Sequence, residues 1–238
     1  MIRNIVFDMG QVLNRFDPEM FLDRAGIFGE DRDLLRREVF QSLEWSRLDR
    51  GSLTDDEAIA LMCARLPQRL HAQAAQFVTA WDRPIVPMEG MAALVRELKA
   101  KGYGIYLLSN ASRRQHSYWP RIPGSECFDG TLISADVGLV KPQPEIYRRL
   151  CETFSLIPGE CVFIDDATSN AEGAFFSGLQ AIVFHGDVEE LRAKLRELDV
   201  AICQKSSFGR IPKELFHDSF SATGHRPPDT MTGCPSRT

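Results

Sequence analysis

PEIYRRLCETFSLIPGECVFIDDATSNAEGAFFSGLQAIVF, residues 144–184, switches repeatedly between two periods. Pro144–Phe154 reads as a helix with proline in its first turn, where the missing N–H is not needed. Cys161–Asp165 (CVFID) is a short apolar run of strand length. Ser169–Ser177 returns to helix and Ala181–Phe184 (AIVF) to strand. Helix, strand, helix, strand at this spacing implies a parallel sheet covered on both faces, because each crossover helix must pack back on the sheet.

The same alternation extends outward. Residues 2–7 (IRNIVF) form a β-branched apolar run that ends at Asp8, with Gly10 following. Met91, Leu94, Val95 and Leu98 mark a helix that stops at Gly102, after Lys99 and Lys101. Gly104–Ser109 (GIYLLS) is a strand, a short helix follows near 112–118, and Thr131–Ser134 is a further strand. Asp187 and Glu190 cap a last helix to about Leu198. Residues 16–83 differ: Phe21, Leu22 and Ala25, then Leu34, Leu35, Val39 and Phe40, recur at helical spacing. Thr54 with Glu57 forms a capping box, and another helix is expected over 71–82. This block reads as a helical bundle inserted into the α/β pattern. The expected organisation is a doubly wound, Rossmann-like core of residues 1–15 and 84–200, a helical insert at 16–83, and a tail at 201–238. The tail, rich in Pro, Ser, Thr and Gly, is expected to be disordered.

Composition narrows the function. Among 238 residues, 28 basic and 33 acidic side chains give a net charge of −5. That argues against a nucleic-acid binder held by general phosphate attraction. No apolar run of membrane-spanning length is present, and Asp8 interrupts the N-terminus where a signal peptide would still be apolar. Cys63, Cys127, Cys151, Cys161, Cys203 and Cys234 form no C-x-x-C pair, so free thiols in a cytoplasmic protein are expected. A small phosphorylated substrate is the expected partner, with neither nucleic acid nor membrane, and the chain is expected to be a monomer or homodimer.

The strand ends carry the chemistry. The first ends at Asp8, the second at Ser109 and Asn110, and CVFID runs into Asp165 and Asp166, while a loop carries Lys141. Carboxyl ends of parallel strands share one edge, where ligands bind in such sheets. Carboxylates there suit Mg²⁺, and the logic is phosphoryl transfer, with Asp8 as nucleophile and Lys141 and Ser109 facing the phosphoryl oxygens.

FDMGQVL (Phe7–Leu13), LLSN (Leu107–Asn110), KPQPEIY (Lys141–Tyr147) and FIDDATSNAEGA (Phe163–Ala174) resemble, in order and spacing over residues 1–200, the four motifs of the haloacid dehalogenase superfamily. The resemblance implies Asp8 as nucleophile and metal ligand, and the Gly10 carbonyl as a second ligand. It implies Ser109 and Asn110 as phosphate contacts and Lys141 as the neutralising cation. Asp166 is implied as a metal ligand, with Asp165 direct or through water, and the helical insert as the family's cap. The D-x-G-x-V form with Asp165–Asp166, together with Tyr118-Trp119-Pro120, is similar to bacterial α-D-glucose-1-phosphate phosphatases, which implies a sugar 1-phosphate substrate.

One position departs from the pattern. Family phosphatases carry an acid/base aspartate two residues after the nucleophile; here that position is Gly10. Such a group is worth about 10²–10⁴ in rate. Three readings stay open: a phosphatase whose acid comes from water, substrate or elsewhere, with Asp17 a candidate; a 2-haloacid dehalogenase, which needs no acid; or a non-catalytic phospho-ligand binder. The acidic pair favours phosphate, since halide displacement needs no metal. Trp45, Trp81 and Trp119 read as packing residues; if one lines the pocket, Trp45 and Trp119 are the candidates. Arg113–Arg114 reads as solvated surface, and His116 lies near the active edge without ligand spacing.

Overall fold

Five short apolar runs become strands: β1 (Asn4–Phe7), β2 (Gly104–Ser109), β3 (Gly130–Ile133), β4 (Cys161–Asp165) and β5 (Gln180–Val183). The computed structural model describes residues 1–202. All pairings are parallel, in the order β3-β2-β1-β4-β5. Phe7 lies level with Leu107 on one side and Ile164 on the other. β1 is therefore the central strand, and the chain changes direction across the sheet there, which opens a crevice beyond the carboxyl ends.

Strand side chains alternate between two apolar layers. Ile5, Phe7, Ile105, Leu107, Val162 and Ile164 pack with α6 (Met91–Ala100) and α11 (Val188–Glu197). Val6, Leu108 and Phe163 pack with α9 (Pro144–Phe154) and α10 (Thr168–Phe176). Helices on both faces make this a doubly wound α/β fold, and a short helix, α7 (Gln115–Tyr118), follows β2. β3 ends one residue before the sequence reading placed it. Ser134 instead opens the short helix α8 (Ser134–Val137), and its buried hydroxyl is used between loops, as described below.

Between β1 and α6 the chain is helical: α1 (Pro18–Arg24), α2 (Gly29–Leu35), a π-turn at Arg36–Phe40, α3 (Leu43–Asp49), α4 (Asp55–Cys63) and α5 (His71–Ala80). Both halves of the Thr54–Glu57 capping box are made. These helices bury their own apolar cluster, including Leu22, Leu35, Val39, Met62 and Phe77. At full burial each such side chain stabilises by about 1.5–3 kcal/mol. The chain entering and leaving this segment is paired: Arg15 N–H donates to the Val86 carbonyl at 2.8 Å and Met88 N–H to Leu13 at 2.9 Å. Trp81 lies between the two layers, edge-on to Phe16 (5.0 Å) and Tyr118 (5.0 Å).

Two readings need correction. Arg114 is not solvated surface; it pairs at 2.6 Å with Asp82, which is buried at the end of the helical segment and also meets Arg121. Order also continues past residue 200: Ala201 N–H donates to the Tyr103 hydroxyl at 2.7 Å, and Ile202 is buried in the main core. The expected disorder beyond that point concerns residues 203–238, which lie outside the described residues.

α10 approaches the loop before α9 closely because Gly173 faces it. A Cβ on Gly173 would sit 2.8 Å from the Pro142 carbonyl oxygen and 3.1 Å from the Tyr147 ring. Tyr147 is fully buried and donates its hydroxyl to the Asn170 carbonyl at 2.7 Å, so the ring cannot yield easily. Gly173→Ala gains about 1 kcal/mol of helix propensity but loses about 1–3 kcal/mol to overpacking. We expect net destabilisation, read as a lower urea midpoint; an unchanged or higher midpoint would contradict this packing.

Candidate active site

β1 delivers Asp8 to the sheet edge, where its N–H donates to the Ile164 carbonyl at 2.9 Å. The chain then turns sharply: Leu13 and Asn14 N–H both return to the Met9 carbonyl, and Gln11 takes φ +55°. β4 ends one strand away at Asp165. Lys141 reaches between them, donating to Asp8 Oδ1 at 2.6 Å, Asp165 Oδ2 at 2.7 Å and the Leu108 carbonyl at 3.1 Å. An ammonium has three protons, and all three are used. Lys141, Asp8 and Asp165 are all buried.

The lysine is itself held from behind. Asn110 accepts from Lys141 N–H at 2.8 Å and donates to its carbonyl at 3.1 Å. The Asn110 amide thus holds the Lys141 backbone through one donor and one acceptor, with its second amide proton left over. Asp165 accepts from Ala167 N–H at 2.8 Å and from Asn170 Nδ2 at 3.0 Å, besides Lys141. Its main work is to order the lysine and the turn into α10. The Asp166 side chain lies on the exposed side of that turn.

Burial raises the Asp8 carboxyl above the usual range; Lys141 opposes the shift and Asp165 adds to it. Burial alone would pull Lys141 down, but the two carboxylates outweigh it and its pKa is raised. Burial, then Asp165, raises Asp166. Ligand oxygens of Asp8, Asp165 and Asp166 lie within 4.8 Å of one another. Three carboxylates against one ammonium leave two excess negative charges in a poorly hydrated place. A hard divalent cation with oxygen ligands matches that excess.

A cavity of about 220 Å³ opens in front of Asp8. Its lining includes the polar groups of Asp8, Ser109, Asn110 and Lys141 beside Gly10. It also includes apolar and aromatic side chains: Phe16, Trp45, Leu48, Val78, Trp81 and Tyr118. Trp119 serves packing, edge-on against Phe128 at 4.9 Å, and does not line the cavity. Asp17 does not line this cavity; it caps α1 by accepting from Glu19 N–H at 2.9 Å. His116 pairs with Asp136 at 2.9 Å.

Sequence reasoning missed Asp49, which also lines the cavity. It stands in the last turn of α3, where the helix dipole disfavours a carboxylate, and that was the only local signal. Gly10 is not required by the backbone: its φ is ordinary, and a Cβ there would lie 3.8 Å from Phe16 Cβ and 4.0 Å from Asp8 Oδ2. A side chain is absent where one would fit.

Because the folded, metal-free site raises the Asp8 and Asp166 pKa values, protons compete with a cation at low pH and leave as pH rises through the raised values. Added Mg²⁺ is therefore expected to raise Tm more at about pH 8 than at about pH 5.5. Equal shifts at both pH values, or none, would count against a metal held by these carboxylates. No helix among the described residues is long and apolar enough to cross a membrane.

Residues 2–178 match the family model for haloacid dehalogenase-like hydrolases. A sesquiterpene phosphatase of Aspergillus oryzae is 26% identical over 187 residues, covering 73% of this chain and 85% of that protein. A D-ribitol-5-phosphate phosphatase of Bacteroides thetaiotaomicron is 28% identical over 184 residues, covering 71% and 85%. The solved structure of a HAD family enzyme of Bacteroides thetaiotaomicron, in complex with magnesium and inorganic phosphate, superposes with a TM-score of 0.59 at 21% identity. It covers 80% of this chain and 99% of that one. At that identity the likeness is one of fold. With a matching family model over most of its length, the chain belongs to the haloacid dehalogenase-like hydrolases.

Proposed function

We propose that the protein is a Mg²⁺-dependent phosphomonoester hydrolase acting through an aspartyl-phosphate on Asp8. The observation that carries this reading is the Lys141 ammonium, shared by Asp8 at 2.6 Å and Asp165 at 2.7 Å, with Asp166 completing an acidic cluster at the sheet's switch point. Displacement of halide from carbon gives no reason for that cluster; phosphate does. The named phosphatases among the relatives support the same reading.

In this reading Asp8, Asp166, the Gly10 carbonyl and Asp165, directly or through water, hold the cation. When bound, Mg²⁺ lowers the repulsion between the anionic nucleophile and the phosphoryl oxygens. Lys141 orients Asp8 and keeps a fixed positive charge beside the same oxygens. Ser109, at the end of β2, hydrogen-bonds the phosphoryl group, and Asn110 acts by holding Lys141. One Asp8 oxygen attacks phosphorus in line, the P–O bond to the leaving group breaks, and water later splits the acyl phosphate. The helical insert of residues 16–83 serves as a cap that closes over the substrate and excludes water.

The lining of the cavity bears on the substrate. Its aromatic and aliphatic side chains offer few partners for sugar hydroxyls and much surface for an apolar group. A small monophosphate with an apolar leaving group is the better fit, with the sugar 1-phosphate as the reading from motif resemblance.

The test is phosphate release from a panel containing a prenyl monophosphate, glucose 1-phosphate and p-nitrophenyl phosphate, with Mg²⁺ or chelator. Expected is Mg²⁺-dependent turnover that Asp8→Asn reduces by about 10³-fold or more, the scale lost when a nucleophile is removed. No release from any ester by folded protein, or chelator-insensitive halide release from 2-haloacids, would overturn the reading.

A further inference from the structure

We propose that Asp49, carried into the cavity by α3, is the acid that protonates the leaving oxygen and the base that activates water, in place of the side chain Gly10 lacks. The inference rests on the phosphatase reading. Its first support is elimination among the ionisable side chains lining the cavity: Asp8, Asp49, Tyr118 and Lys141. Asp8 is the nucleophile. All three Lys141 protons are engaged. Burial, with Asp49 and Asp82 adding, pushes the Tyr118 phenol well above its ordinary range, so it is a poor donor at neutral pH. Asp49 remains.

The second support is that the structure holds Asp49 in place through its backbone. The Asp49 carbonyl accepts from Ser134 Oγ at 2.5 Å, and the same hydroxyl accepts from Ala111 N–H at 2.9 Å. Two residues on, the Gly51 carbonyl accepts from Arg113 Nη1 at 3.2 Å. Gly51 has φ +73°, and a Cβ there would fall 2.2 Å from the Ala135 carbonyl oxygen. The Leu48–Gly51 turn is therefore seated directly on the loops that follow β2 and β3. The Ser112 N–H, beside the phosphate-facing end of β2, favours the Asp49 carboxylate.

Burial and then the Asp8 charge, opposed by Lys141 and the Ser112 N–H, push the Asp49 carboxyl up to about 7. A group poised near the working pH can both give and take a proton. In the first step Asp8 forms a bond to phosphorus, the P–O bond to the alcohol breaks, and that oxygen takes the proton of neutral Asp49. In the second, the Asp49 carboxylate takes a proton from water, the water oxygen bonds to phosphorus, and the P–O bond to Asp8 breaks. Alcohol and inorganic phosphate leave, and Asp49 is again protonated.

The test compares Asp49→Asn with the wild type on an alkyl monophosphate and on p-nitrophenyl phosphate, whose leaving group needs no acid. The docking contact at residue 49 is made by its backbone carbonyl, so the variant should melt as the wild type does. Expected is a loss of about 10²–10⁴-fold on the alkyl ester. With p-nitrophenyl phosphate, phosphoenzyme formation should survive and its hydrolysis slow, giving a burst of nitrophenol and a trapped covalent phosphoryl-protein after acid quench. The fall in wild-type kcat/KM for the alkyl ester above about pH 7 should be absent in the variant. Asp8, Lys141 and Tyr118 face Asp49 in both proteins and do not account for that difference. Alkyl-ester turnover within threefold of wild type would overturn the proposal. So would equal losses on both esters with no trapped intermediate, which indicate a positioning role. Wild-type protein that releases phosphate from neither ester would instead defeat the phosphatase reading, and this inference with it.

Discussion

A lysine ammonium buried between two carboxylates organises this molecule. Lys141 contacts Asp8 at the end of β1, Asp165 at the end of β4 and a β2 carbonyl, so one side chain ties together the three adjacent strands at the sheet's centre. Removing charge from water is costly, and such a group persists only where every proton finds an acceptor. That requirement explains the surrounding details. Asn110 clamps the lysine backbone on both sides, Asn170 and Ala167 hold Asp165, and Gly173 on α10 lets the Lys141 loop approach.

The same arrangement leaves the site short of positive charge. Lys141 balances only one of three clustered carboxylates, so the pocket is prepared for a cation and, through it, for an anion. In the proposed reaction a chain of net charge −5 would meet the phosphate anion through that cation and Lys141. The helical segment has an apolar cluster of its own and meets the sheet layer through an aromatic contact chain, Phe16, Trp81 and Tyr118, that also walls the cavity. The surface that joins the two layers is thus the surface that would meet the substrate's organic part.

Gly10 changes meaning once the structure is seen. In the sequence it is a missing catalytic group, equally compatible with a different leaving group or lost activity. In the fold it is an open position facing a cavity into which another carboxylate, Asp49, already projects. The acid belongs to the helical segment, so catalytic competence would depend on that segment being seated against Ser134 and Arg113.

The sequence by itself determined the α/β alternation, the parallel sheet and the strand ends at which Asp8, Ser109 and Asp165 stand. These are encoded locally, in the period of apolar residues and in the residue that follows each strand. The matches at Pro144–Phe154 and Cys161–Asp165 show how strong that signal is when a proline or a charge marks the boundary. Only the tertiary structure decided that Asn110 serves the lysine, that Arg114 serves buried Asp82, and that Trp81 rather than Trp119 faces the cavity. It alone brought Asp49 to the site. These contacts join residues tens of positions apart through loops and helix ends, whose directions are set by packing and not by any periodicity along the chain.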